Sequence, residues 1–181
     1  MNTIKLVTRL TLICVAAALC LGVTYSVTNP IITRLAEEAA AEAFRTLFPD
    51  ALTFTDVDFH AEGDFEAITG VVASAGASDF SGWCVSITTT GYKGIIPLVV
   101  GIKPDGSLAG IRVGANDETV GLGSRISEPA YYGQFAGVKP PLILKKDIQA
   151  VSGATISSRA VVDAVNTVRA FYERELSQPA R

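Results

Sequence analysis

The chain has 181 residues, of which 49% are apolar and 18% charged, and a formal charge of −3 from 15 basic and 18 acidic side chains. That balance excludes a disordered chain, and a mildly acidic sequence with no basic run argues against a nucleic-acid-binding surface. Three cysteines and one histidine are too few for a four-thiolate iron–sulfur cluster or a Cys/His zinc site, so no metal ligand is expected and any redox chemistry needs an organic cofactor.

The first predicted element is a membrane span. No Asp, Glu, Lys, Arg or His lies between Leu10 and Thr33, and the run supplies the roughly 20 apolar residues that cross a hydrocarbon core of about 30 Å. Lys5 and Arg9 precede it and every acidic residue follows it. The positive-inside rule therefore places the N-terminus in the cytoplasm. No A-x-A site follows the run, and Ile13 and Leu19, before Cys14 and Cys20, fit a lipoprotein site poorly, so an uncleaved anchor is expected rather than a signal peptide.

The organisation that follows is a cytoplasmic N-terminus (1–9), a transmembrane helix (10–30), a stalk helix (31–50) and an extracytoplasmic domain (51–181). This is a single-pass protein of the cell (inner) membrane, in contact with lipid. Asn29-Pro30 predicts a break between span and stalk. The stalk repeats Leu35, Ala39, Ala43 and Leu47 at intervals of four, and Pro49 ends it.

Beyond the stalk, short β-branched and aromatic runs alternate with Gly, Asp, Asn and Ser. They predict strands at 67–73, 83–89, 95–102 and 107–113. Lys103-Pro104-Asp105-Gly106 suits a tight turn, so the last two form a hairpin. The nearly all-apolar Ile95–Val100 predicts a strand covered on both faces. Cys84 beside Trp83 reads as a buried apolar side chain with no disulfide partner in the domain. A short aromatic helix or turn is expected at 129–135, a break at Val138-Lys139-Pro140-Pro141, and a short strand at 142–144. Val161, Val162, Val165, Val168 and Tyr172 mark a final helix over 158–176. The order predicts an α+β domain, an antiparallel sheet with flanking helices.

Two segments carry candidate chemistry. Ser152-Gly153-Ala154-Thr155 stands just before the final helix, where Ser and Thr can cap open N–H groups or an anion can bind them, with Arg159 in the first turn to assist. Capping is the simpler of these two readings. Asp117-Glu118-Thr119-Val120-Gly121-Leu122-Gly123-Ser124 brings two glycines and several polar groups into one loop, but lacks a complete G-x-G-x-x-G.

Taken together with the anchor and Gly91-Tyr92-Lys93-Gly94, these segments resemble the G subunits of Rnf-type ion-translocating electron-transport complexes. They are similar, more distantly, to the C subunit of the sodium-translocating NADH:quinone reductase, which shares the FMN-binding domain. The resemblance implies that residues 51–181 form an FMN-binding domain. FMN would be joined to Thr155 by a phosphoester that a separate flavin transferase makes from FAD, with Ser152, Gly153 and Ala154 completing the motif. It also implies that Glu118, Thr119, Gly121, Leu122 and Gly123 lie near the isoalloxazine ring. Val120 departs from the usual Pro, and Gln149 stands where an acidic residue is common.

The implied role is electron relay, with no catalytic side chain, inside a ferredoxin:NAD oxidoreductase that moves sodium ions or protons. Its implied partners are other membrane and iron–sulfur subunits. Two alternatives remain open from the sequence: a stand-alone membrane-tethered flavin carrier, and a non-redox extracytoplasmic interaction domain in which Ser152–Thr155 is only a helix cap.

Overall fold

A computed structural model of the chain describes residues 2–60, 62–76 and 80–177. Met1 and residues 178–181, the ends of the expected cytoplasmic segment and domain, lie outside the described residues, as do 61 and 77–79. The chain forms two compact units, residues 1–39 and 40–181.

The described residues of the first unit are all helical, part of α1 (Asn2–Leu47). The break expected at Asn29-Pro30 does not form, because Pro30 lies inside the helix. A proline forfeits one backbone hydrogen bond, but the turns on either side can carry the helix through. Such residues are tolerated in membrane helices. Thr24, Ser26 and Thr33 donate their hydroxyls to the carbonyls of Cys20, Val23 and Asn29, so these polar side chains need no water. The stretch Lys5–Leu47 is long and apolar enough to cross a membrane, with a mean hydropathy of 2.2 in its most apolar window. Leu10, Leu12, Ile13, Leu19, Leu21 and Val23 all stand exposed, which water penalises and lipid does not.

The second unit holds a five-stranded antiparallel meander: β1 (Thr53–Asp56), β2 (Ile68–Ala75), β3 (Phe80–Thr90), β4 (Ile95–Ile102) and β5 (Leu108–Val113), in that spatial order. Val71 pairs with Val85, Ser86 with Val99 and Val100 with Ile111. The β4–β5 turn closes through Lys103 N–H to the Ser107 carbonyl at 2.8 Å. β1 was not expected from sequence. It is four residues long, mostly polar and at the edge, and Phe54 finds its partner in Phe44 of α1, ring centroids 6.0 Å apart. The strand expected at 142–144 does not form either. One bridge joins Leu144 to Ile148, and the Asn166 side chain satisfies both backbone groups of Leu142 instead.

α2 (Pro129–Tyr132) runs into a 3-10 turn, Gly133–Phe135, and α3 (Thr155–Phe171) into a π-turn, Tyr172–Leu176. One face of the sheet, with Val85, Ile87, Leu98 and Val100, packs against Val161, Val165, Val168 and Phe171 of α3. The other face, with Val72 and Cys84, receives Leu47 and Phe48 from the end of α1. β4 is thus covered on both faces. Of the stalk repeat, only Ala43 and Leu47 are buried.

Candidate functional site

α3 begins at Thr155, and the way its first turn is held decides what the site can do. The residue before it, Ala154, occupies the N-cap position with φ −127° and ψ 42°, and no side chain caps the helix. Ser152 and Thr155 therefore do not cap α3. Gly153, at φ 81°, turns the chain in a conformation that a Cβ would strain. Ala154 N–H donates to the Val151 carbonyl at 3.0 Å, and Ser158 N–H to the Ala154 carbonyl at 2.9 Å. Among the described residues, the N–H groups of Thr155, Ile156 and Ser157 and the Thr155 hydroxyl have no acceptor or donor. They form the positive end of a 17-residue helix.

The two serines that follow turn inward. Ser158, fully buried, accepts the Val151 N–H on Oγ at 3.0 Å, and its carbonyl accepts the Tyr131 hydroxyl at 3.0 Å. Burial pushes the Tyr131 hydroxyl up from its ordinary pKa. Ser157, also buried, donates its hydroxyl to Glu118 Oε2 at 2.5 Å.

Glu118 joins three segments. Its Oε1 accepts the Lys93 N–H at 2.9 Å, from the turn between β3 and β4, while Oε2 holds Ser157 on α3. Only 4% of the residue is exposed. Burial alone would raise its pKa, but hydrogen bonds from Ser157 and from the N–H groups of Lys93, Gly94 and Tyr92 outweigh it. The carboxyl is held below its ordinary value. A Cβ on Gly91 would sit 2.4 Å from Glu118 Oε1, and one on Gly123 2.5 Å from Oε2. Both glycines are thus the clearance that a buried carboxylate needs.

The loop after Glu118 closes on itself: Leu122 N–H and Ser124 N–H both donate to the Thr119 carbonyl at 3.1 Å, and Ser124 Oγ accepts the Gly121 N–H at 3.0 Å. Leu122 then reaches across to Gly153, where a Cβ would meet its Cδ2 at 3.0 Å. The fold so brings together the two segments singled out in the sequence. Val120, Leu122 and Ile156 stand exposed beside them. Thr119 and Gly121 lie on the outer side of the loop, and no atom comes within 4 Å of a Cβ built on Gly121.

Two cavities open on Thr155. One, of about 640 Å³, lies between the end of β3 (Thr88–Thr90) and the exposed face of α3, with Ile156 and Arg159 in its wall. The other, of about 400 Å³, is lined by Lys145, Gln149, Ser152 and Gly153. Ser157 and Thr88–Thr90 carry no local sequence signal as site residues. The Glu118–Ser157 pair spans 39 positions, and a serine one turn into a helix reads as polar surface. Among the described residues no cluster of His, Cys, Asp and Glu is able to hold a metal.

Comparison with known proteins covers the same part of the chain. The FMN-binding domain family matches residues 91–170, a stretch that contains every motif residue above. The G subunit of the ion-translocating oxidoreductase complex of Methanosarcina acetivorans is 33% identical over 90% of this chain and 90% of its own. The G subunit of the proton-translocating ferredoxin:NAD(+) oxidoreductase complex of Clostridium ljungdahlii is 30% identical over 91% of this chain and 89% of its own. Among solved structures, the C subunit of the Na(+)-translocating NADH-quinone reductase of Parabacteroides distasonis shares the fold. Its TM-score is 0.53 at 19% identity, covering 71% of this chain and 80% of that one.

Proposed function

The chain belongs to the family of G subunits of Rnf-type ion-translocating oxidoreductase complexes, and we propose that it relays electrons there through an FMN joined to the Thr155 hydroxyl by a phosphoester. The observation that carries this reading is the start of α3. A helix end with three open N–H groups and no side-chain cap stands beside an unpartnered hydroxyl. That arrangement suits a phosphate diester, whose remaining charge the helix end stabilises.

The residues present fit the group. Ser152, Gly153 and Ala154 make a turn that leaves Thr155 half-exposed between two cavities. Glu118 braces this arrangement, its two oxygens accepting Ser157 and the β3–β4 turn. When bound, the flavin supplies the one- and two-electron chemistry that side chains lack. The chain itself anchors the site to the membrane, holds the tether and orients the helix end. Nothing in the site requires a side chain to move a proton.

The charge pattern around the anchor supports a single pass, with residues 1–9 in the cytoplasm, 10–30 across the lipid and the domain outside. In this reading a flavin transferase matures the protein, iron–sulfur and other membrane subunits exchange electrons with it, and the overall couple is ferredoxin and NAD. The helix-cap reading has no hydrogen bond to support it.

The test is co-expression of the full chain with a flavin transferase. Wild type gains the mass of FMN less water and gives a band that fluoresces under ultraviolet light in a denaturing gel, while Thr155→Ala stays dark at its bare mass. Unmodified wild type under those conditions, or loaded Thr155→Ala, overturns the reading.

A further inference from the structure

We propose that the groove between the end of β3 and the outer face of α3 is the docking surface for the flavin transferase, an enzyme that delivers FMN from FAD, and that Arg159 and Asp163 are its charged contacts. This rests on the Thr155 reading above. In the transfer, a bond forms from Thr155 Oγ to the FMN phosphorus and the phosphoanhydride bond of FAD breaks. AMP leaves, the hydroxyl proton is released, and nothing is oxidised or reduced.

The footprint of such an enzyme follows from size. A specific protein–protein contact covers about 800 Å² of each partner, a patch about 30 Å across, and here it must include the Thr155 hydroxyl. Arg159 and Asp163 follow Thr155 at intervals of four on α3. They therefore share its helix face and lie about 6 and 12 Å further along the axis. Both fall inside a patch of that size centred on Thr155. All three residues line the cavity of about 640 Å³, together with Thr88–Thr90 of β3 and the exposed Ile156. None of residues 118–123 contributes to its wall, so the loop assigned to the flavin leaves this surface open to a protein.

The chemistry of the groove suits a partner that binds and leaves. Permanent subunit contacts are more apolar, whereas here Ile156 is the single large apolar side chain among threonines and two charges. Those charges are uncommitted. Arg34, Arg125, Arg169 and Arg174 each pair with a glutamate. Among the described residues, neither the Arg159 guanidinium nor the Asp163 carboxylate has an ion-pair or hydrogen-bond partner. A cation and an anion one turn apart, not paired even with each other, match a surface that sets an acid opposite the first and a base opposite the second. Such charges steer an encounter and fix its register. Both side chains are exposed, so reversing either leaves the core untouched.

The experiment follows loading of the full chain in detergent by intact mass, with a flavin transferase and saturating FAD, while the concentration of the chain is varied. Arg159→Glu and Asp163→Lys are each expected to raise KM for the chain about tenfold with kcat unchanged, a difference that shrinks as salt is added. Arg159→Lys keeps the wild-type KM. Thr155→Ala, which retains the docking surface without the acceptor, competes with wild type and slows its loading. Thr155→Ala combined with Arg159→Glu does not compete at the same concentration. A wild-type KM in both charge-reversed variants overturns the docking surface while leaving the tether intact. A raised KM for FAD or a lowered kcat in Arg159→Glu, with Asp163→Lys unmoved, puts the guanidinium at the phosphate and equally overturns it. Charge-reversed chains that load like wild type but lose the other complex subunits on purification assign the face to those subunits and overturn it too. Wild type that never gains mass overturns the Thr155 reading first, and this inference with it.

Discussion

The two faces of the sheet are closed by different physics. On the face under α3, large aliphatic side chains fill the space: Ile87, Leu98, Val100 and Ile111 meet Val161, Val165 and Phe171. There the stability comes from apolar area, about 1.5–3 kcal/mol for each fully buried side chain of this size. On the other face the strands withdraw. Gly82, Gly101 and Gly110, one from each of β3, β4 and β5, leave a trough in which Leu47 and Phe48 lie against the backbone. The first face is filled by side chains that can shift, whereas on the second a Cβ at Gly82 would meet a backbone oxygen and the Phe48 ring within 3 Å. Cys84, buried beneath this second face, has its thiol pushed up to about 12 by burial and takes part only in packing. The candidate site belongs to the first face but borrows the device of the second: Gly91 and Gly123 make room for the Glu118 carboxylate as the trough makes room for Phe48.

Adding one methyl to the trough is the sharpest way to break this comparison. A Cβ on Gly82 would lie 2.3 Å from the Ile102 carbonyl oxygen and 2.7 Å from Phe48 Cζ, at a φ of +148°. Backbone cannot yield as a side-chain tip can, so Gly82→Ala is expected to cost about 3 kcal/mol or more from overpacking and backbone strain together. Denaturant unfolding of the full chain in detergent measures it. A loss below about 1 kcal/mol would mean that the helix end is not seated in the trough.

Glu118 extends the comparison from apolar to ionic packing. Glu118→Gln keeps the shape but leaves a carboxamide where Ser157 and several backbone N–H groups expect an anion. A loss of about 2 kcal/mol at neutral pH follows from hydrogen bonds to a charged acceptor. The pH dependence carries the sign. The folded carboxyl titrates below its unfolded value of about 4.3, so in that window the unfolded chain binds more protons than the native one. The contribution of Glu118 is present above the unfolded value and disappears as pH falls through the folded one. Wild type should lose stability on acidification more steeply than Glu118→Gln. Parallel curves would show that the Glu118 hydrogen bonds do not favour its charged form.

Much of this arrangement was readable in advance where the signal was local. β4 carries eight residues dense in Ile and Val, the β4–β5 turn has Pro and Gly in the right places, and the valine stripe of α3 repeats at helical spacing. The two motif loops could be named from their residue types. That Leu122 would touch Gly153, and that Glu118 would reach Ser157, could not be read, since those contacts depend on the sheet bringing distant loops to one end. Pro30 misled because the turns on either side carry the helix through, as membrane helices tolerate. β1 was invisible because an edge strand needs few apolar residues and gets its partner from α1. The glycines of β3, β4 and β5 carry no sequence signal of their role, and only their contacts with Leu47 and Phe48 show them to be the seat of a helix.

The smallest expected effect tests the other half of the comparison. Ile87→Val removes one methylene from a side chain that is 2% exposed on the α3 face. If that face is held by area, the loss should be about 1 kcal/mol, the transfer of one buried methylene plus a partly relaxed cavity. Its neighbours there are aliphatic side chains that can shift by fractions of an ångström, unlike the carbonyl facing Gly82. Ile87 lies just before the threonines that line the larger cavity. Flavin loading of Ile87→Val should nevertheless match wild type, because the strand register that places Thr88–Thr90 is set by backbone pairs, Thr88 to Pro97 and Thr89 to Ile96. A cost as large as that of Gly82→Ala would mean that shape, not area, governs both faces. An unchanged stability with impaired loading would mean that packing under β3, rather than its register, positions the cavity wall.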